Sequence, residues 1–170
     1  QISRIASGGL AVENAAAEVQ DVLHECDRLR TVTKGAFDHL DGGKLDPAGY
    51  VKGWAVDGAT AILQAAGLRN YMIWAGGDVL VAGHPTDAES WSIGIRDPLD
   101  ASRVIDTVNL TGGAVATSGS YERGKHIRGS ARAGLMSVSG VGSRLGVADA
   151  LATAVFSAGL SNIDWWTKFP

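Results

Sequence analysis

The sequence predicts a single α+β domain in which helices pack on a mainly antiparallel sheet. Its 170 residues fit one compact domain, and 45% of them are hydrophobic, which is close to the globular average. The predicted elements follow in the order helix, loop, helix, several strands, helix. Because the strands come in a run and do not alternate strictly with helices, this order favours an α+β layered domain over a doubly wound parallel sheet.

The helices are predicted from apolar residues that recur at three- and four-residue steps. Residues 11–30 have this spacing with charged residues in between, which is typical of an amphipathic helix. Residues 54–66 have it again and are followed by Gly67 at a C-cap position, after a glycine-rich loop expected over residues 33–53. The last predicted helix covers residues 147–158, with its apolar side chains on one face.

Short strands are expected between the second and the last helix. Alternating or apolar runs place them at residues 70–74, 79–82, 91–95, 104–110, 114–116 and 135–141. The first two flank the turn Ala75-Gly76-Gly77-Asp78. We expect positive φ angles at its glycines and a bond from the Asp78 side chain to the turn backbone.

Composition excludes several classes of protein. The 15 basic and 18 acidic residues give a net charge of −3, which argues against a nucleic-acid-binding domain. The single cysteine, Cys26, excludes an intrachain disulfide and a cysteine-based zinc site, and we expect it as a small hydrophobe on a helix. No apolar run reaches the roughly 20 residues of a membrane span. Cytoplasmic and membrane-associated extracytoplasmic locations and the oligomeric state stay open.

The segment from Asp46 to Asp57 is a candidate phosphate-binding site. Gly49 and Gly53 would let the backbone approach a ligand, and Lys52 would neutralise phosphate beside a helix N-terminus expected near Gly53. The alternative is a glycine-rich loop that ends in an exposed lysine, since short glycine motifs are weak signals.

Two further groups of residues have the chemistry of a catalytic or metal site. His126 is expected in a loop together with Tyr121, and its imidazole would accept a proton from an attacking hydroxyl. Asp149 and Thr153 are four residues apart, which places two oxygen ligands suited to Mg²⁺ on one helix face. The alternatives are a solvated loop histidine, and an N-cap or first-turn aspartate with an unrelated threonine.

Taken in order, these segments resemble the ApbE-type family of FAD:protein FMN transferases, whose fold is T-fold-like. The resemblance covers nearly the whole chain, from about Ile2 to Ala158. The blocks that carry it are Gly35-Ala36-Phe37-Asp38, Val51-Lys52-Gly53-Trp54-Ala55-Val56-Asp57, Ala75-Gly76-Gly77-Asp78, Ile95-Arg96-Asp97-Pro98, Ala116-Thr117-Ser118-Gly119 with Tyr121-Glu122-Arg123-Gly124, and Ala148-Asp149-Ala150-Leu151-Ala152-Thr153-Ala154.

The resemblance implies that FAD is the substrate and that Mg²⁺ lies at its pyrophosphate. FMN would then be moved to a Ser or Thr hydroxyl of an acceptor flavoprotein with a Ser/Thr-Gly-Ala-Thr-like motif, with AMP as leaving group. The implied FAD-binding residues are Ala36, Phe37, Asp38, Asp46, Lys52, Thr117, Ser118 and Gly119. The implied metal ligands are Asp149, Thr153 and a backbone carbonyl near Gly49, and His126 matches the family's general base.

The chain departs from the family pattern after His126. The pattern continues His-Ile-Ile-Asp-Pro-x-Thr-Gly, whereas here Ile127 is followed by Arg128-Gly129-Ser130-Ala131-Arg132-Ala133-Gly134. An FAD hydrolase that releases FMN and AMP, and a non-catalytic flavin-binding module, are therefore alternatives to the transferase. Residues 1–170 would form one domain without the N- and C-terminal strands of the full pattern, and we expect the core of a longer protein.

Overall fold

The computed structural model describes residues 1–41, 43–119, 134–160 and 163–165. Its helices are α1 (Ile2–Ala6), a 3₁₀ turn (Val12–Asn14), α2 (Ala17–Val32), α3 (Ala48–Ala65) and α4 (Leu145–Ala158). Its strands are β1 (Leu40–Asp41), β2 (Lys44–Leu45), β3 (Tyr71–Ala75), β4 (Asp78–Ala82), β5 (Trp91–Arg96), β6 (Val104–Leu110), β7 (Gly112–Gly119) and β8 (Ser137–Gly142).

The domain has three layers around a four-stranded sheet. The sheet has the strand order β3-β4-β7-β8, and every neighbouring pair is antiparallel. Helices α3 and α4 pack on one face, where Leu80, Ala114 and Ala116 lie in a core cluster with Val56 of α3 and Ala148 of α4. The β5–β6 hairpin covers the other face. The α+β class predicted from the sequence is therefore confirmed.

A second core cluster lies among the helices. Successive turns of α2 contribute Val22, Cys26 and Leu29, which pack against Tyr50 of α3 and residues of α4. Cys26 is fully buried, and burial raises the pKa of its thiol to about 12. The predicted role of this cysteine as a small buried hydrophobe is confirmed.

The hairpin between β3 and β4 has the predicted turn. Gly76 and Gly77 have φ angles of +56° and +92°. Both values lie in the left-handed region, which glycine adopts without the steric cost of a Cβ, and a two-residue turn of this kind matches the twist of the flanking strands. Asp78, however, does not serve the turn; its side chain is buried toward the helices, as described below.

Helix α3 begins six residues earlier than predicted, so the loop expected up to residue 53 is wrong from Ala48 onward, while the predicted contact of Lys52 with phosphate stays a prediction. Its first residue is Ala48, whose backbone N–H donates to the Asp46 carboxylate at 3.1 Å. Gly49, Lys52 and Gly53 are therefore helical. Glycine is a poor helix former, so local helix propensity does not predict these first turns of α3.

Helices α3 and α4 cross at two glycines, Gly53 and Gly146, where no larger residue fits. A Cβ on Gly53 would lie 2.4 Å from the backbone nitrogen of Gly146, and one on Gly146 would lie 2.8 Å from the Tyr50 ring. Such distances are far inside van der Waals contact. The two helix backbones therefore touch directly at this crossing.

Helix α4 is the central element of the domain. It is buried on nearly every side and not on one face only, with alanine at positions 148, 150, 152 and 154. Small side chains let the surrounding helices and strands approach it closely. Although α4 is apolar, the described residues contain no helix that is long and apolar enough to cross a membrane.

We predict that Gly53→Ala destabilises the domain by about 2 kcal/mol or more, because the added methyl meets the backbone of α4 and only a helix shift relieves the overlap. The matched control is Gly58→Ala in the same helix, where a Cβ meets nothing within 4 Å. That variant should be more stable by roughly 0.5–1 kcal/mol through helix propensity. Urea unfolding measures the free energy of unfolding of both variants. Equal changes in the two variants would contradict the close contact between α3 and α4.

Candidate functional site

Lys52 joins three elements of the domain at one point. It lies on α3, and its ammonium hydrogen-bonds to the Asp78 carboxylate at the start of β4. The same ammonium lies 3.4 Å from Oδ2 of Asp149 on α4. The aliphatic part of the Lys52 side chain lies next to the β3–β4 turn, because a Cβ on Gly76 would be 3.9 Å from Cδ of Lys52. One cation therefore lies between two carboxylates from different layers.

These charges are largely withdrawn from water. The Asp78 side chain is 1% exposed and the Asp149 side chain 8%, whereas Lys52 keeps 31% of its side-chain surface accessible. Burial by itself lowers the pKa of Lys52, but Asp149 and Asp78 outweigh it and raise that pKa above its ordinary value. Lys52 is therefore a permanent cation on a side chain that solvent still reaches in part.

A second set of contacts, made by hydroxyl groups, joins β7 to α4. The Ser118 and Thr153 hydroxyl oxygens are 3.0 Å apart, and Ser118 is buried. The preceding residue, Thr117, donates its backbone N–H to Oδ1 of Asp78 at 3.1 Å. The structure therefore brings Lys52, Asp149, Thr153 and Ser118 together around the junction of β4, β7 and α4.

Asp57 fixes the start of α4 from another helix. Its two carboxylate oxygens accept the backbone N–H groups of Leu145 at 2.7 Å and Gly146 at 3.1 Å. The first N–H groups of a helix have no partner within the helix, and no side chain of α4's own N-cap residue supplies one. The last residue of the Val51–Asp57 block is thus a cap that sets where α4 begins.

The predicted flavin-contact residues before α3 make structural contacts. The Phe37 ring is buried in the core, and its Cε2 would lie 3.3 Å from a Cβ on Gly49. Asp38 pairs with Arg30 of α2 at 2.9 Å, and Asp46 accepts the first N–H of α3. Ala36 packs at the edge of the same core cluster. Their roles toward a flavin stay predictions.

The predicted general base lies outside the described residues. His126 and the residues around it belong to segment 120–133. Gly119, the last residue of β7, leads into that segment. The described residues therefore do not test the predicted role of His126, which stays a prediction.

The described residues offer oxygen ligands to a cation. Asp149 and Thr153 are one turn apart on α4, and Asp149 is neither the N-cap nor in the first turn, so that structural alternative is wrong. In the part of the chain that the structure describes, no group of three or more His, Cys, Asp or Glu could hold a metal. Mg²⁺ completes its shell with water and substrate phosphate, so one carboxylate and one hydroxyl are compatible with it.

The sequence does not predict the contacts of two acidic residues at the site. Its pattern predicts Asp78 as a turn residue and gives Asp57 no role. A signal existed for Asp78, because a carboxylate that begins an apolar strand such as Val79–Ala82 must be buried and needs a partner. No local signal marks Asp57, since its partners are 88 and 89 residues away.

Comparison with known proteins gives a consistent picture. Residues 39–169 match the family model described as the ApbE family. The chain is 38% identical over 136 residues to a protein of Rhodobacter capsulatus named FAD:protein FMN transferase, which covers 72% of this chain and 25% of that protein. A protein of the same name from Vibrio cholerae is 36% identical over 78 residues, covering 45% of this chain and 23% of that protein.

Solved structures share the fold. The ApbE protein of Thermotoga maritima has a TM-score of 0.73 at 26% identity, covering 90% of this chain and 69% of that one. The flavin transferase ApbE from Vibrio cholerae has a TM-score of 0.75 at 23% identity, covering 87% and 67%. The matches to the two curated relatives span about a quarter of those proteins' length.

We predict that Lys52→Met destabilises the domain by about 2 kcal/mol or more, because two buried carboxylates lose the cation between them. The control is Lys34→Met, which removes an ion pair to Asp164 whose side chains are 63% and 67% exposed. Exposed pairs contribute little, so this loss should stay below about 1 kcal/mol. Chemical denaturation of both variants decides, and a Lys52 variant as stable as the control would contradict the buried charge cluster.

Proposed function

Since the chain belongs to the ApbE family, we propose that it transfers FMN from FAD to a Ser or Thr hydroxyl of an acceptor protein, with Mg²⁺ required and AMP released. The observation that carries the proposal is Lys52 between two buried carboxylates, beside the hydroxyl pair Ser118–Thr153. A permanently charged lysine whose side chain is partly exposed, next to oxygen ligands, is suited to a pyrophosphate with its divalent cation.

Different residues are proposed to bind Mg²⁺, the phosphates and the rest of FAD. Asp149, Thr153 and a backbone carbonyl near Gly49 would hold Mg²⁺, which when bound would neutralise charge on the pyrophosphate. Lys52 would contribute its exposed face to the same phosphates. Thr117, Ser118 and Gly119 would line the nucleotide pocket, and Ala36, Phe37, Asp38 and Asp46 would approach the flavin side.

The proposed reaction is a displacement at phosphorus. The acceptor hydroxyl oxygen forms a bond to the phosphorus on the FMN side of the FAD pyrophosphate, while the bond from that phosphorus to the bridging oxygen breaks. AMP leaves with the bridging oxygen. The hydroxyl proton passes to His126 as general base, and the product is a phosphoester between FMN and the acceptor.

The sequence after His126 supports a second candidate. The Asp-Pro and Thr of the family pattern are replaced there by Arg128-Gly129-Ser130 and the residues that follow. If that difference removes acceptor positioning, water would attack the same phosphorus and the products would be FMN and AMP. If it removes reactivity altogether, the protein would be a flavin-binding module.

One incubation separates these functions. The chain is mixed with FAD and Mg²⁺, with and without a peptide carrying an Asp-x-x-Ser/Thr-Gly-Ala-Thr sequence, and products are followed by mass spectrometry. Covalent FMN on the peptide together with AMP supports the transferase. AMP and FMN without labelled peptide would indicate the hydrolase, and FAD binding without turnover would indicate the module.

We predict that Asp149→Ala abolishes Mg²⁺-dependent transfer and leaves the fold largely intact. The carboxylate is the only charged ligand proposed for the metal, and Lys52 keeps Asp78 as its partner in the variant. Thr153→Val should be milder and raise the Mg²⁺ concentration required, because water can replace a neutral oxygen. Transfer rates across a Mg²⁺ titration, with circular dichroism as the check on folding, measure both effects; wild-type rates for Asp149→Ala would remove it from the metal site.

We predict that His126→Ala lowers the transfer rate about 10²–10⁴-fold, the typical contribution of a general base. FAD affinity should hardly change, because the phosphates are proposed to be bound elsewhere. His84→Ala is the matched control, since His84 is exposed and contacts the Pro85 carbonyl at 3.0 Å. A normal rate for the His126 variant at every pH would show that His126 is not the general base.

A further inference from the structure

Asp78 is the most buried charge of the site. It belongs to a block that carries the family resemblance, but neither the resemblance nor the proposed mechanism gives it a role toward FAD or Mg²⁺. It is 1% exposed at the first position of β4, immediately after Gly77. The remaining residues of β4 are Val79, Leu80, Val81 and Ala82. A carboxylate in such a strand costs free energy unless both of its oxygens are satisfied.

Both carboxylate oxygens of Asp78 accept a hydrogen bond, and each donor residue or its neighbour contacts a side chain of α4. Oδ2 accepts a hydrogen bond from the Lys52 ammonium, which lies 3.4 Å from Asp149. Oδ1 accepts the backbone N–H of Thr117, and the hydroxyl of the next residue, Ser118, lies 3.0 Å from the Thr153 hydroxyl. One side chain on the sheet thus braces both side chains proposed as metal ligands.

We propose that Asp78 is a positioning residue of the cation site, which acts through Lys52 and Thr117 and does not itself bind the cation. This inference rests on the proposed function. With Asp78 present, the ammonium of Lys52 has a second anionic partner, which leaves Asp149 able to bind a cation. Without the Asp78 charge, the Lys52 ammonium has only the Asp149 carboxylate as an anionic partner in this cluster. An incoming cation then has to displace the ammonium from Asp149.

The test is Asp78→Asn, because the amide oxygen can still accept the Thr117 N–H while the charge that holds Lys52 is lost. Mn²⁺ binding to the full chain is measured by electron paramagnetic resonance with and without FAD. We expect Mn²⁺ affinity to fall about tenfold, equivalent to roughly 1.4 kcal/mol. In steady-state assays the Mg²⁺ concentration for half-maximal rate should rise, with kcat at saturating Mg²⁺ nearly unchanged.

A second variant identifies the cause. In the double variant Lys52→Met with Asp78→Asn no ammonium competes for Asp149, so Mn²⁺ affinity measured without FAD should recover toward that of the wild type. The control is Glu25→Gln, which removes one charge from the ion pair between the partly buried Glu25 and the exposed Arg28 on α2. It is expected to lower stability without changing Mn²⁺ affinity.

Each outcome has a distinct meaning. If Asp78→Asn lowers thermal stability but binds Mn²⁺ like the wild type, Asp78 is only structural and the inference is overturned, while the proposed function stands. If the double variant binds as weakly as Asp78→Asn, competition by Lys52 is overturned as the cause. If the wild-type chain binds no Mn²⁺ with or without FAD, the proposed metal requirement and this inference fail together.

Discussion

The backbone contact between α3 and α4 is the constraint on which the site depends. Gly53 and Gly146 let the two helices approach until a single Cβ would overlap the opposing backbone. One turn beyond the crossing, Asp57 of α3 caps the first N–H groups of α4. Contact and cap together fix the position and the starting residue of α4. Asp149 therefore faces Lys52 of α3 because of how the helices cross.

The charge cluster built at this crossing is a costly arrangement for a small domain. Two carboxylates from different layers share one ammonium, and all three are partly or fully removed from water. Buried ion pairs are often no more stabilising than apolar residues of the same volume, so stability alone is a weak reason for such a cluster. The proposed binding of a pyrophosphate and a divalent cation would be a physical reason to maintain opposite charges at fixed positions.

Membership of the ApbE family and the geometry of the chain are consistent with each other. The family match covers residues 39–169, which include α3, the four-stranded sheet and α4. The residues that meet at the centre of the site come from these elements. Helix α2, before the matched range, contributes Val22, Cys26 and Leu29 to the core beneath them. The site and its scaffold thus form one packed unit.

By itself the sequence determined the fold class, most helices and strands, the positive φ angles at Gly76 and Gly77, and the placement of Asp149 and Thr153 one turn apart. These features follow from local periodicity and from the conformational freedom of glycine. Tertiary structure decided the start of α3, where glycines conceal a helix that packing against Phe37 and Gly146 stabilises. It also decided the roles of Asp78 and Asp57. Their partners lie 26 to 89 residues away, and a local pattern holds no information about charges that only folding brings into contact.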